Sequence, residues 1–277
     1  MKTRPFGSTG VDVSVIGQGT WQLRRPDHAE AALRAGLAFG MNHIDTAELY
    51  QGSEAVVGRA IRGRRDDVFL VTKVRPPNTS YEGTLKSARE SLKRLQVERV
   101  DVLLQHWADE THPISETMRA FGELLDEKRT KWVGVSNFEV AEMEEAQSAL
   151  GKHKIVCNQV YYSPEQRGAQ HEVLPYCKKQ NIAIVAYSPF GSGHPPAKGT
   201  AGWMALEEIG RRRGLTPFQV ILAFLVRDPN VFVIPKAESE PHVRENAGAL
   251  DHALEKDDIE RLETAFPLPR STELPVI

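Results

Sequence analysis

The 277-residue sequence contains little cysteine and no long hydrophobic run. Its two cysteines, Cys157 and Cys177, are too few for the disulfide framework of a small extracellular domain, so we expect both to be reduced. No stretch of about 18 apolar residues occurs, and the opening MKTRPFGSTG lacks the apolar core of a signal peptide. We therefore expect a cytoplasmic protein that does not bind a membrane.

The sequence also lacks an excess of charge of one sign. It has 35 basic and 37 acidic residues, for a formal net charge of −2. This balance gives no indication of a nucleic acid or an anionic membrane surface as a partner. The length suits one barrel domain of about 250 residues, and no linker interrupts it, so we expect a single domain over residues 1–277 and a monomer.

Several motifs of cofactor and metal sites are missing. There is no GxGxxG, GxxxxGK[ST], HExxH or paired CxxC sequence. The first absence weighs against a dinucleotide-binding open sheet, which usually carries that glycine-rich turn after an early strand. We also expect no metal ion, because His106 has no histidine or cysteine partner at ligand spacing.

What the sequence does contain is a regular alternation of short apolar runs and amphipathic segments. Unbroken runs rich in β-branched residues are typical of strands buried on both faces of a parallel sheet. The predicted strands are 13–19, 43–46, 68–73, 100–106, 132–136, 155–160, 182–187 and 231–234. The predicted helices are 29–39, 53–61, 84–95, 114–127, 141–149, 173–179, 203–213, 217–226, 240–249 and 257–265.

Eight such units with short connections favour an α/β protein with a closed (β/α)8 TIM barrel. An open doubly wound sheet is the alternative, and the missing glycine-rich turn argues against it. Residues 2–12, before the first predicted strand, have room for a short N-terminal hairpin. The proline-rich tail after Pro267 is expected to be an irregular surface segment.

Four ionisable side chains follow neighbouring strands. Asp45, Lys73 and His106 close the second, third and fourth predicted strands, and Tyr50 lies in the loop after the second. Each alone has an ordinary explanation, respectively a helix cap, a solvated charge, a core histidine and a packed loop residue. Because the carboxyl ends of all barrel strands share one rim, we expect the four to converge in an active site.

The four residue types match what hydride reduction of a carbonyl needs. The alkoxide that forms must be protonated, but a free tyrosine, with a pKa of about 10, is a poor acid near neutrality. A lysine ammonium beside it lowers that pKa, and a carboxylate keeps the lysine charged. We therefore assign Tyr50 as the acid, Lys73 as its modulator, Asp45 as the anchor of the lysine, and His106 as the donor that orients the carbonyl.

A series of motifs runs from the second strand to the last, namely HIDTAELY, FLVTK, LLQHW, GVSNF, NQV, AYSP and IPKA. In this order they resemble the signatures of the aldo-keto reductase superfamily. Among its bacterial members, the chain looks most like the short-loop reductases of methylglyoxal and related small aldehydes. The resemblance implies an NADPH-dependent oxidoreductase that reduces small aldehydes or ketones to alcohols.

The resemblance also implies where the extended cofactor lies. Contacts of the nicotinamide and its ribose would come from Thr20, Trp21, Asp45, Ser136, Asn137, Gln159 and Tyr187, with the tyrosine stacked on the ring. The pyrophosphate would be wrapped by Ser188, Pro189, Phe190, Gly191 and Ser192, in a glycine-containing loop whose backbone can approach an anion closely. From its composition alone, a flexible surface loop is an equally good interpretation of this segment. The adenosine end would be held by Pro235, Lys236, Ala237, Ser239, His242 and Asn246.

Two of these positions depart from the family pattern. Ala237 stands where the family has serine, and His242 stands where an arginine normally packs on the adenine and pairs with the 2′-phosphate. Lys236 keeps one positive charge for that phosphate. We therefore expect NADPH to be preferred and NADH to be usable as well.

The substrate pocket is expected to be aromatic. Trp21, Tyr50, His106 and Trp107 would line it, with the region of Phe138, and residues 190–202 and the tail would close it. Two other functions stay open. A Schiff-base enzyme using Lys73 is disfavoured because pairing with Asp45 keeps the amine protonated, whereas a regulatory subunit that senses cofactor without turnover is compatible with the same residues.

Overall fold

The computed structural model describes residues 1–276 and contains two sheets. A two-stranded antiparallel sheet pairs β1 (Thr3–Pro5) with β2 (Asp12–Ser14). The eight strands of the second sheet are all parallel and neighbour one another in chain order. They are β3 (Gln18–Gly19), β4 (His43–Asp45), β5 (Phe69–Val74), β6 (Val100–Gln105), β7 (Thr130–Ser136), β8 (Ile155–Tyr161), β9 (Ala183–Tyr187) and β10 (Val231–Val233).

The helices follow the strands along the chain. They are α1 (Pro26–Ala38), α2 (Ser53–Ala60), α3 (Tyr81–Leu95), α4 (Ile114–Asp126), α5 (Val140–Leu150), α6 (Val173–Gln180), α7 (Ala201–Arg213), α8 (Pro217–Leu225), α9 (Glu240–Ala247) and α10 (Lys256–Ala265). Within residues 1–276, none of them is both long and apolar enough to cross a membrane.

The eight-stranded sheet closes on itself between its first and last strands. Parallel bridges join Ile16 to Val233 and Gly19 to Lys236 at this seam. The backbones approach so closely that a Cβ on Gly19 would lie 2.5 Å from the carbonyl oxygen of Ile234. Only glycine fits there without a shift. The (β/α)8 barrel predicted from the sequence is therefore confirmed.

The start of the barrel differs from the prediction. We predicted a first strand over residues 13–19, but Val13 and Ser14 belong to the N-terminal hairpin and the barrel strand begins at Gln18. The apolar run is explained by packing at the end of the barrel, where Val13 and Phe6 are fully buried. The Phe6 ring lies 4.8 Å from that of Phe69 and 4.9 Å from that of Phe232. The hairpin thus closes one end of the barrel with side chains.

Side-chain caps fix where several helices begin. The hydroxyl of Ser80 accepts a hydrogen bond from the N–H of Gly83, so α3 starts at Tyr81, three residues before the predicted start. Thr216 and Gln219 form a reciprocal capping box at the start of α8. The Ser80 cap sets the length of the loop that leaves the carboxyl end of β5, whereas the Thr216 cap lies in the connection between α7 and α8. Cys157 and Cys177 are both free and buried.

Candidate active site

The structure brings the four predicted catalytic side chains together at the carboxyl ends of β4, β5 and β6. Asp45 ends β4, Lys73 is the penultimate residue of β5, and His106 directly follows β6. The Nζ of Lys73 lies 2.5 Å from Oδ1 of Asp45 and 3.4 Å from the phenol oxygen of Tyr50. The rings of Tyr50 and His106 are 5.6 Å apart, edge to face. The predicted convergence of these four residues is therefore observed.

The lysine is fully buried and completely paired. Its ammonium also donates to the carbonyl oxygen of Thr46 at 2.9 Å, and Gln159 donates to the other oxygen of Asp45 at 2.8 Å. Burial lowers the pKa of Lys73, but Asp45 and Tyr50 outweigh it, so the pKa is raised and the ammonium stays charged. Burial raises the pKa of Asp45, while Lys73 and Gln159 pull it back.

The electrostatics of Tyr50 differ from the expectation of a lowered pKa. Burial raises the pKa of Tyr50 above its ordinary value, and this effect outweighs the pull of the Lys73 ammonium. The phenol thus holds its proton near neutrality. Burial and the charge of Lys73 place the pKa of His106 well below its usual range, so that imidazole is neutral. Its Nδ1 has no hydrogen-bond partner among residues 1–276.

A cavity of about 810 Å³ opens over these side chains. Trp21, Trp107 and Tyr187 contribute aromatic walls, and the Tyr187 hydroxyl donates to Oδ1 of Asn137 at 2.9 Å. The cavity runs on to a cationic region at the seam between the first and last barrel strands. The predicted site residues that line it are Thr20, Trp21, Asp45, Tyr50, His106, Trp107, Asn137, Gln159, Tyr187, Ser188, Pro189, Phe190, Ser192 and Lys236.

Other predicted cofactor residues do not line the cavity, namely Ser136, Gly191, Pro235, Ala237, Ser239, His242 and Asn246. Some of them support residues that do. Ser136 is buried and accepts a hydrogen bond from the side chain of Asn137. Gly191 shapes the loop after β9, because a Cβ there would lie 2.3 Å from the carbonyl oxygen of His194. His242 is exposed on the first turn of α9.

The loop after β9 has an unusual backbone. Ser188 and Ser192 have φ angles of 50° and 55°, in the left-handed region that side chains other than glycine rarely adopt. Asn137, after β7, has a φ of 59°. All three residues line the cavity. Strained backbone of this kind concentrates at ligand-binding sites, which supports the prediction that this loop holds a ligand.

The pocket walls differ from the prediction at one aromatic residue. Phe138 is fully buried in the core between strands and helices and does not line the cavity. The tail does contribute, through Val276, and the loop after β9 contributes Phe190 and Pro195. Arg244, another basic residue of α9, does not line the cavity. It pairs with Glu240 at 2.9 Å, and its guanidinium lies 4.6 Å from the centre of the Phe39 ring.

Sequence reasoning missed several cavity residues, of which Arg24, Arg25 and Glu238 carry charge. Arg24 and Arg25 lie in the loop after β3, and Glu238 lies in the loop after β10. Their place in the chain could have indicated them, because every loop that follows the carboxyl end of a barrel strand lies at the same rim. The sequence gives no sign of the contact between them, because 214 positions separate Arg24 from Glu238.

Comparison with known proteins identifies the family. Residues 15–266 match the model of the Aldo/keto reductase family. The chain is 34% identical over 269 residues to "Methylglyoxal reductase YeaE" of Escherichia coli, covering 95% of this chain and 94% of that protein. It is 30% identical over 260 residues to "Methylglyoxal reductase DkgB" of Yersinia pestis, covering 92% of this chain and 93% of that one.

A solved structure agrees with these matches. The crystal structure of aldo/keto reductase from Klebsiella pneumoniae in complex with NADP and acetate has a TM-score of 0.91 and 36% identity, covering 100% of this chain and 99% of that one. The resemblance predicted from the strand-end motifs is therefore confirmed, and the chain belongs to the aldo/keto reductase family.

Proposed function

We propose that this protein uses NADPH to reduce small aldehydes and ketones to alcohols, with Tyr50 as the proton donor. The observation that carries this proposal is the buried ion pair of Asp45 and Lys73, whose ammonium contacts the partly buried Tyr50 beside His106 in the cavity. We further propose that the enzyme is a monomer formed by one domain over residues 1–277 and that it acts in the cytoplasm.

The protein's own residues handle the proton. A reduced nicotinamide bound in the cavity would supply the hydride for the carbonyl carbon. Tyr50 gives its proton to the carbonyl oxygen, and the Lys73 ammonium, 3.4 Å away, stabilises the phenolate that remains. Asp45 keeps that ammonium in place. The neutral imidazole of His106 donates to the carbonyl oxygen and orients it toward Tyr50.

The cavity suits a dinucleotide from end to end. Asn137 and Gln159 offer amide groups near the catalytic chain, Tyr187 offers a flat ring, and Lys236 offers a positive charge in the seam region. The loop after β9, in which Ser188 and Ser192 have left-handed backbone angles, provides a strained turn for the pyrophosphate. The Klebsiella pneumoniae relative is described with NADP. We therefore propose the cofactor contacts that the family resemblance implies, with Ser136 and Gly191 supporting the residues that line the cavity.

The favoured substrates are methylglyoxal and similar 2-oxoaldehydes. The Escherichia coli relative is named a methylglyoxal reductase. Trp21, Tyr50, His106 and Trp107 line the cavity and are the side chains that we expect to contact the substrate. At the rim Trp21 is 36% exposed and Leu49 is 40% exposed, which leaves an open apolar mouth that a small molecule can enter.

The direct test mixes the purified protein with NADPH and methylglyoxal and follows the absorbance of the reduced nicotinamide. Turnover that depends on both reagents is expected. Binding of NADPH without turnover of methylglyoxal or other small aldehydes would contradict the proposal and favour a regulatory subunit that senses cofactor. Failure to bind NADPH would contradict both functions.

A further inference from the structure

Glu238 joins two loops at the cationic end of the cavity. Its Oε1 accepts a hydrogen bond from the backbone N–H of Arg24 at 2.6 Å and lies 3.2 Å from Nζ of Lys236. Its Oε2 lies 3.9 Å from Nε of Arg25. The side chain is only 10% exposed, although it sits at the surface of the barrel mouth. The carboxylate is therefore firmly held rather than free in solvent.

The position of Glu238 follows from the closure of the barrel. Gly19 and Lys236 are bridged at the seam, so the loop after β3 and the loop after β10 leave the barrel side by side. Glu238 spans the two loops and lines the cavity together with Arg24, Arg25 and Lys236. Burial raises the pKa of Glu238, but the Arg24 N–H, Lys236 and Arg25 outweigh it and lower the pKa, so the group is ionised.

This arrangement places one negative charge among the cations that a phosphate would need. Lys236, Arg24 and Arg25 are the cationic residues that line the described cavity. Glu238 contacts the lysine ammonium directly and lies near the Arg25 guanidinium, so both are partly neutralised before any ligand arrives. A phosphate entering here must compete with the carboxylate for the same donors and is repelled by it.

We propose that Glu238 is a specificity-determining residue of this site, which weakens the hold on a 2′-phosphate and accepts hydrogen bonds from an unphosphorylated ribose. A carboxylate accepts from the 2′-hydroxyl of a ribose diol, but it cannot accept from a phosphate that carries no proton. The enzyme therefore uses NADH alongside NADPH because of Glu238. This inference rests on the proposed function, since it requires the adenosine end of the dinucleotide to reach Lys236.

The test uses nucleotide fragments, so that its readout is binding rather than turnover. Calorimetry measures the Kd of 2′,5′-ADP and of 5′-AMP for the intact protein and for Glu238→Gln. The amide oxygen of glutamine still accepts from Arg24, so the loops should stay joined. Removing the charge should lower the Kd of 2′,5′-ADP about tenfold, while the Kd of 5′-AMP changes by less than about threefold. The preference for NADPH over NADH should rise by the same factor as the ratio of these two Kd values.

Glu240→Gln is the matched control. Glu240 is two residues along, is exposed, and pairs with Arg244 outside the cavity lining, so its loss should leave the ratio of the two Kd values unchanged. An unchanged ratio in Glu238→Gln, or an equal shift in the control, overturns the inference. The inference is also overturned if the unaltered protein binds 2′,5′-ADP about a hundredfold or more tightly than 5′-AMP. This second measurement does not depend on whether a variant folds.

These outcomes separate the inference from the proposed function. If the unaltered protein binds neither NADPH nor NADH, both the proposed function and the role of Glu238 fail. If both dinucleotides bind and the ratio does not depend on Glu238, only the role of Glu238 fails. An increase in the NADPH preference of Glu238→Gln, absent from Glu240→Gln, supports it.

Discussion

The ammonium of Lys73 lies 3.4 Å from the phenol oxygen of Tyr50, within a pocket where the lysine has no exposure to solvent. Because Tyr50 comes from the loop after β4 and Lys73 from β5, this contact exists only when the two neighbouring strands are in register. The buried charge is balanced by Asp45, which ends β4. The contact therefore links the barrel's register to the chemistry proposed at its rim.

We expect Tyr50→Phe to keep the fold and cofactor binding while losing most turnover. The variant removes the phenol proton, and loss of a general acid costs about 10²- to 10⁴-fold. The measurement is kcat with NADPH and methylglyoxal, beside the Kd for NADPH. Tyr81→Phe is the control, because Tyr81 lies on α3 outside the cavity lining and bonds to Glu123. Turnover of Tyr50→Phe within about threefold of the parent would refute the role of Tyr50.

We expect Lys73→Met to be as damaging as Tyr50→Phe, because the two residues act as one unit. Residues of a single catalytic unit are strongly non-additive, so the double variant should be little slower than either single variant. The measurement is kcat of the three variants, with circular dichroism to establish that each is folded. A double variant slowed by the product of the two single effects would mean that the residues act independently.

How far the sequence predicts the site depends on whether a signal is local. Asp45, Lys73 and His106 could be assigned because each interrupts or follows an apolar run, and parallel strands bring such positions to one rim. The prediction that Val13 belongs to the first barrel strand is wrong, because a short apolar run fits a buried hairpin strand and a barrel strand equally well.

Contacts between loops could not be predicted in the same way. Glu238 meets Arg24 only because the barrel closes at the Gly19 and Lys236 bridge. The raised pKa of Tyr50 was also missed, since the sequence shows the neighbouring charge but not the depth of burial. Both depend on three-dimensional packing, which residue types and spacing do not specify.

His43 should make the protein sensitive to acid. It is fully buried at 5.7 Å from the Phe6 and Phe69 rings, and neither ring nitrogen has a partner among the described residues. Burial, with the charge of Lys73, lowers its pKa to about 3. Between about pH 6.5 and 3 the unfolded chain therefore binds one more proton at this residue, so stability falls as the pH falls, by up to ~1.4 kcal/mol per pH unit.

The measurement is the free energy of unfolding in urea at pH 6 and pH 4.5, for the parent and His43→Leu. The free energy of unfolding of the variant should fall less on acidification. Its slope against pH should be smaller by the contribution of about one bound proton. His28→Leu is the control, because His28 is exposed on α1 and its ring meets water in both states. Equal slopes for the parent and His43→Leu would show that His43 is not the source of the sensitivity.

We expect activity to need no metal ion. The proton is supplied by Tyr50 and the carbonyl is oriented by His106, so no step requires a Lewis acid. Dialysis against a chelator should leave kcat unchanged when NADPH and methylglyoxal are added. Loss of activity in the chelator, followed by recovery on addition of zinc, would contradict this mechanism.

Exchanging His242 for arginine should strengthen the preference for NADPH. His242 is exposed on the first turn of α9, where an arginine could reach a 2′-phosphate with a permanent, planar charge. A charge-assisted hydrogen bond contributes roughly 1.5–3 kcal/mol, or about 10- to 100-fold in the NADPH/NADH ratio of kcat/KM. NADH should be little affected. His252→Arg adds the same charge at an exposed residue that does not line the cavity, and should not alter the ratio. An unchanged ratio in His242→Arg would mean that this position does not face the phosphate.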